Sequence, residues 1–196
     1  KEYYDNGDLR AEGTYTNDIK TGNWRFYHPN GELEQEGRYN EEGEPDGEWR
    51  WYYASGDLLR EEYYYLGKLD GTMIEYDEDG KVVAQGEYIE GLEDGGWFYL
   101  IGDSRVEGEY VDGMRNGLWK YIYLPPAIGR SEVLRFEGRY IEDNPHGKHT
   151  YYWDNGKPKD VGNYVMGLKN GDWISYDYEG NPFLVITYRN GVELKY

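Results

Sequence analysis

Cysteine is absent, which excludes disulfide bridges and thiolate metal sites. Long apolar runs are missing too: mean hydropathy is −1.00, and no stretch approaches the roughly 20 apolar residues of a membrane span. Direct insertion into a membrane is therefore not expected. Cations are in short supply, with 21 Lys and Arg against 39 Asp and Glu and a net charge of −18. Nucleic acid is excluded as an expected partner, because binding its phosphates takes a basic surface. Anionic lipid surfaces are disfavoured for the same reason. Aliphatic side chains are few for a chain of 196 residues, so a thick core of the ordinary kind is not expected.

What the chain has instead is rings, 24 Tyr and 7 Trp, arranged with a period. A Gly-x-Trp unit and a Glu-Gly-x-Tyr unit alternate from end to end. The closing glycines are Gly22, Gly47, Gly71, Gly95, Gly117, Gly147 and Gly171, spaced by 25, 24, 24, 22, 30 and 24 residues. Trp24, Trp49, Trp97, Trp119 and Trp173 follow two positions later, with Met73 and His149 as substitutes. Tyr15, Tyr39, Tyr64, Tyr88, Tyr110, Tyr140, Tyr164 and Tyr188 form a second column. Gly37, Gly86, Gly108, Gly138 and Gly162 form a third, with Glu62 and Ile186 as departures. A period between 20 and 50 residues means stacked supersecondary units, each contacting its neighbours. The expected organisation is a single array over 1–196, with units near 1–21, 22–46, 47–70, 71–94, 95–116, 117–146, 147–170 and 171–196.

Each unit reads as a β-hairpin. Runs rich in Trp, Tyr and Val flank Asn6-Gly7, Asn30-Gly31, Ser55-Gly56, Asp79-Gly80 and Asn155-Gly156, which predict two-residue turns with both central residues at positive φ. Centring a hairpin on Asn30-Gly31 sets Trp24 opposite Gly37 and Arg25 opposite Glu36. A ring opposite a bare glycine covers exposed backbone. Lys1–Glu12, Arg50–Glu61 and Lys120–Glu137 repeat the charge pairing, while Thr150–Val161 and Ile174–Val185 lose both charges together. Ile74–Gln85 and Phe98–Glu107 are the imperfect pairs. Two odd-length hairpins fold symmetrically about Gly102-Asp103 and Ile128-Gly129. Their length changes are even, so side chains keep their faces. About sixteen strands at 4.8 Å spacing predict an array on the order of 75 Å long.

The units Gly22-Asn23-Trp24-Arg25-Phe26-Tyr27, Asn30-Gly31-Glu32-Leu33 and Glu36-Gly37-Arg38-Tyr39 resemble the MORN repeat variant (membrane occupation and recognition nexus) common in bacterial proteins. The resemblance covers essentially the whole chain. It implies an all-β fold, an elongated single sheet of about eight antiparallel hairpins with a groove-like face, and it implies no activity. An antitoxin-like role is known among proteins with such repeats. Lys1 aligns with Arg25, so the first unit is expected to lack its tryptophan and glycine, as in a fragment. Secreted and lipoprotein forms stay open. Val192–Tyr196 is expected either to pair as a last strand or to mark a truncation.

Residues for chemistry are few. His28, His146 and His149 lack the companions of a zinc site. Asp77-Glu78-Asp79-Gly80 is far shorter than a calcium loop and sits where other units have a turn. No nucleophile has a base placed by a recognisable motif, so catalytic residues, metal and cofactors are all expected to be none. Binding is the class that remains. Alternation sets Trp24, Phe26, Gln35, Gly37 and Tyr39 on one face, with Arg25, Tyr27, Glu34 and Glu36 on the other. The Trp, Gly and Tyr columns hold the array together. The variable column Phe26, Trp51, Glu75, Tyr99, Tyr121, Tyr151, Ser175 offers Phe26, Trp51, Tyr99, Tyr121 and Tyr151 as a partner surface, since exposed rings give contact area with few rotors to freeze. The irregular stretches Leu124–Arg130 and Glu41–Asp46 are further contact candidates. The expected function is a non-catalytic scaffold for another protein, of basic character. The alternatives are a carbohydrate-binding module that stacks rings on sugars, and a spacer.

Overall fold

The computed structural model describes residues 1–125 and 131–195; the Ile128-Gly129 turn and most of the Leu124–Arg130 insertion lie outside them. The described chain is all-β without a helix, and its strands follow one another in antiparallel hairpin order. It forms two compact units, Lys1–Glu93 and Asp94–Tyr196. Within each, the sheet is a single layer. Sixteen strands were expected, and the described residues show eighteen. One extra arises where Asp70 splits Lys68–Leu69 from Gly71–Tyr76, and the other is the short Val192–Glu193, which pairs back on Pro182–Arg189.

The expected register holds at every described pair: Trp24 with Gly37, Arg25 with Glu36, Arg50 with Glu61, Ile74 with Gln85, Phe98 with Glu107, Lys120 with Glu137, Thr150 with Val161 and Ile174 with Val185. The route to it differs from the expected one. At Asn30-Gly31 only Gly31 has positive φ, and the same is true of Gly7, Gly56, Gly80 and Gly156. The turn is Pro29-Asn30, closed by Gly31 N–H donating to the His28 carbonyl at 2.8 Å, and Gly31 follows as a left-handed bulge. That loop holds three residues, and an odd loop alone would invert the faces. A bulge between Phe26 and Tyr27 on one strand and Leu33 to Gln35 on the other restores the register. Two-residue turns with both residues at positive φ do occur, but at the opposite sheet edge, between units. They are Asn17-Asp18, Leu66-Gly67, Glu90-Gly91, Asp112-Gly113, Glu142-Asp143, Met166-Gly167 and Asn190-Gly191. Gly102-Asp103 is a two-residue turn as expected, with only Gly102 at positive φ.

In each unit the core is a row of rings. Trp24, Trp49, Trp119 and Trp173 are buried, yet Trp24 and Trp119 do not cover Gly37 and Gly138, which they face within their own hairpins, and Trp49 and Trp173 face Glu62 and Ile186 there. Each lies on the glycine of the preceding hairpin: Trp24 on Gly13, Trp49 on Gly37, Trp119 on Gly108 and Trp173 on Gly162. Its indole N–H donates to the carbonyl of the residue after that glycine: Thr14 and Arg38 at 3.1 Å, Glu109 at 3.1 Å, Asn163 at 3.2 Å. The closing glycine makes this possible. Gly22 has φ of 68°, and there the pairing jumps from Glu12–Arg25 to Thr14–Thr21, so Gly13 is left without a cross-strand neighbour. The ring fills that gap. Tyrosines pack edge-on between the indoles, with Tyr15–Trp24 and Tyr39–Trp49 centroids 5.0 Å apart and Trp24–Tyr39 at 6.4 Å. In the second unit Tyr110–Trp119 and Tyr164–Trp173 repeat the contact at 5.0 and 5.1 Å. Edge-to-face pairs of this kind contribute about 0.5–1.5 kcal/mol each beyond the area they bury.

Glu62 breaks the glycine column and Met73 breaks the tryptophan column one unit later, so the two departures are one. A side chain at the glycine position leaves no gap for an indole. Glu62 is buried and accepts from the Tyr64 hydroxyl at 2.7 Å.

A methyl at Gly37 would stand 2.1 Å from the Trp49 ring. Gly37→Ala is expected to cost about 1–3 kcal/mol by overpacking, and Trp49→Ala about 3–5 kcal/mol by leaving a cavity. In urea melts, Gly37→Ala should cost little once Trp49 is Ala, because the clash is then gone.

Candidate binding face

Beyond the buried indoles, the same face carries a row nearer the Asn-Gly edge. In the first unit cross-strand pairing lines up Ala11, Phe26, Gln35, Trp51, Arg60, Glu75 and Ala84. In the second it lines up Tyr99, Val106, Tyr121, Phe136, Tyr151, Asp160, Ser175 and Leu184. The sequence-derived residues Phe26, Trp51, Tyr99, Tyr121 and Tyr151 all stand in these rows. Phe26 stacks on Trp24 at 5.8 Å and 28°, Tyr99 on Trp97 at 5.5 Å and 20°, and Trp51 tilts against Trp49 at 6.0 Å. Tyr121, Phe136 and Tyr151 form a run with centroids 4.9 and 5.0 Å apart. All five are part-exposed, Tyr151 the most at 37 %. Burial pushes the Tyr151 hydroxyl up to about 12, with Tyr164, Tyr140 and Tyr121 adding to it.

The second strand of each hairpin contributes as well as the first: Gln35 lies on this face as alternation sets it, and reading the first-strand column alone missed Arg60, Phe136 and Asp160. Each stands two residues before the glycine-column position, which was the available signal. Arg60 lies opposite Trp51 and bridges Glu62 at 3.3 Å and Glu75 at 2.8 Å. Burial of Tyr64 and its bond to Glu62 push that hydroxyl strongly up. Cations also lie over the rings: Lys20 Nζ is 4.3 Å from Trp24, Arg115 4.3 Å from Tyr140, and Lys169 Nζ 4.1 Å from Trp173. Such contacts contribute about 0.5–1 kcal/mol where exposed.

The opposite face is a charge lattice. Lys1–Glu12, Arg25–Glu36 and Arg50–Glu61 close at 3.2, 3.3 and 3.2 Å. Each of these glutamates also takes a hydroxyl from the next unit: Tyr27 at 2.8 Å, Tyr52 at 3.0 Å and Tyr76 at 2.9 Å. The Tyr27 hydroxyl, then Lys1, holds the Glu12 carboxyl below its usual range. Tyr15, with help from Lys20 and Arg10, brings Glu2 down to about 2. The Glu column is therefore cross-strand and inter-unit pairing, with its carboxylates committed.

The histidines stand apart from one another in role. His28 Nε2 bonds the Tyr52 carbonyl at 2.9 Å, and His146 Nδ1 accepts from Met166 N–H at 3.4 Å. His149 replaces a tryptophan and keeps its job: it lies on Gly138, with Nε2 2.9 Å from the Arg139 carbonyl. A carbonyl only accepts, so Nε2 carries the proton. Asp77–Gly80 is a turn, closed by Gly80 N–H to the Asp77 carbonyl at 2.9 Å, with Asp77 Oδ1 accepting from Lys81 N–H at 2.9 Å. Among the described residues no three His, Asp or Glu side chains gather as a metal-ligand group.

Burial pushes the His149 imidazole down. The folded chain thus holds it neutral, and below about pH 6.5 the unfolded chain binds the proton first. The stability this group contributes is complete above that pH and is lost as pH falls from there through the lower folded value. Urea melts at pH 7.5 and 5.5 should show a loss of stability in the parent that is smaller in His149→Phe.

The family model described as MORN repeat variant matches residues 1–17, 20–41, 45–64, 69–90 and 145–166, together just over half of the chain. The chain belongs to the MORN-repeat-variant family. The stretch between 90 and 145, unmatched by that model, holds the 22- and 30-residue spacings, yet its described strands pair in the same hairpin register. Repeats of this family are non-catalytic and serve as scaffolds for binding proteins and membranes. No curated protein matches the chain.

Proposed function

We propose that this member of the MORN-repeat-variant family is a non-catalytic scaffold that holds another protein, of basic character, along its aromatic face. The observation that carries the reading is the division of labour among the rings. Indoles are buried and pin one hairpin to the next, whereas the rows that hold Phe26 and Trp51 in the first unit and Tyr99, Tyr121 and Tyr151 in the second are part-exposed and rest on rings below or beside them. Such rings are ordered before any partner arrives, and preorganised contact area binds without a large ordering cost. Aromatic anchors of this kind dominate interface energetics. The charge of −18 favours association with a basic partner and speeds the encounter.

Affinity capture from an extract of the source organism, followed by mass spectrometry, tests the reading. The control is a variant with Trp51, Tyr99, Tyr121 and Tyr151 changed to Ser and its strand content checked by circular dichroism. Retention of a protein by the parent should fall about tenfold or more in the variant. A soluble glycan that shifts tryptophan fluorescence with no protein retained would replace this reading with carbohydrate binding.

A further inference from the structure

In the second unit a groove of about 340 Å³ runs between Tyr151, Asp160, Tyr164, Lys169, Trp173 and Tyr188. Its polar groups are unequally committed. Lys169 Nζ lies over the rings of Trp173 and Tyr188, at 4.1 and 5.0 Å. Asp160 accepts one hydrogen bond, from Ser175 Oγ at 2.6 Å, and among the described residues no Lys or Arg forms an ion pair with it. The first unit supplies the comparison. The equivalent row positions there are Trp51, Arg60 and Glu75, and Arg60 reaches Glu75 at 2.8 Å and Glu62 at 3.3 Å beside the Trp51 strand. A ring, a guanidinium and a carboxylate share that row within the chain. The second unit has the ring, Tyr151, and the carboxylate, Asp160, but lacks the cation.

We infer that this groove takes an Arg or Lys side chain of the partner, its charge on Asp160 and its stem along Tyr151, while Lys169 receives an acidic group of the same extended segment. Charge complementarity identifies the occupant. A carboxylate beside exposed ring surface binds a cation both by pairing and through the ring faces, and a guanidinium fits both demands better than an ammonium. Lys169 stands in the same groove with its ammonium on the rings, so the preferred segment carries both signs. The inference rests on the scaffold reading and narrows it to one site.

The test uses the full chain labelled with nitrogen-15 and capped Gly/Ser peptides holding one Arg and one Glu, one to three residues apart. The Trp173 indole N–H and the Lys169 to Ser175 amides should shift. Replacing the Arg by citrulline, which keeps shape and removes charge, should weaken binding at least fivefold. Asp160→Asn should do the same for the Arg peptide and make no difference to the citrulline peptide. Lys169→Gln should cancel the advantage of the Glu. Equal binding of the two peptides, or indifference to Asp160→Asn, overturns the site. Shifts confined to Phe26 and Trp51 would overturn it while leaving the scaffold standing. Shifts at Trp173 produced by a neutral oligosaccharide and by none of the peptides would overturn it in favour of a sugar.

Discussion

An indole lying on a glycine of the preceding hairpin is the contact on which the rest depends. A single-layer sheet has no second sheet against which to bury its rings, so the rings must cover one another and the backbone beneath them. The closing glycine takes a left-handed conformation that other residues resist, the pairing slips there, and a gap opens over the facing glycine. The tryptophan fills the gap and donates to the carbonyl beside it, as Trp49 does to Arg38. Three residues from two hairpins thus form one device, and each unit is held by its neighbour, as repeat arrays require. Tyrosines set edge-on between the indoles extend the row through the unit.

The same device explains the face available for binding. Because the indole leans back onto the previous hairpin, the next inward residue on its strand rests on or beside it and stays part-exposed. Phe26 on Trp24 and Tyr99 on Trp97 show the stacked form. The row varies, from Trp51 through Glu75 to Ser175, and the contacts it makes between hairpins vary with it: an ion pair from Arg60 to Glu75, rings at Phe136 and Tyr151, a hydrogen bond from Ser175 to Asp160. The opposite face has less freedom: its carboxylates are joined to a cation on one side and a tyrosine hydroxyl on the other, as Glu36 is to Arg25 and Tyr52.

Much of this was legible in the order of residues. Period, hairpins, cross-strand pairs and the two faces follow from spacing and alternation, because a strand has only two faces and one register that buries the rings. Three features were not. Asn30-Gly31 looks like a turn with two left-handed residues, but the chain enters it through Pro29 and only the glycine is left-handed; a bulge beside Glu34 then supplies the residue that a symmetric turn would not have needed. Of the true turns of that kind, Leu66-Gly67 and Met166-Gly167 begin with apolar residues and carry a weaker signal, whereas Asp112-Gly113 and Asn190-Gly191 have the expected residue types but stand between the hairpins that were counted. The partner of each indole was misplaced for a related reason. Pairing within a hairpin can be counted, whereas a slip between hairpins depends on backbone conformation at the closing glycine. In the site, Asp160 and Arg60 were missed because the row was followed along one strand of each hairpin.

Glu62 and Met73 allow the central claim to be measured directly. Met73→Trp, Glu62→Gly and the double variant, compared with the parent by urea denaturation, give the coupling between the two positions. Met73→Trp should destabilise the chain while Glu62 remains, and Glu62→Gly should relieve most or all of that loss by reopening the gap. An effect of Met73→Trp that is the same in both backgrounds would contradict the central claim.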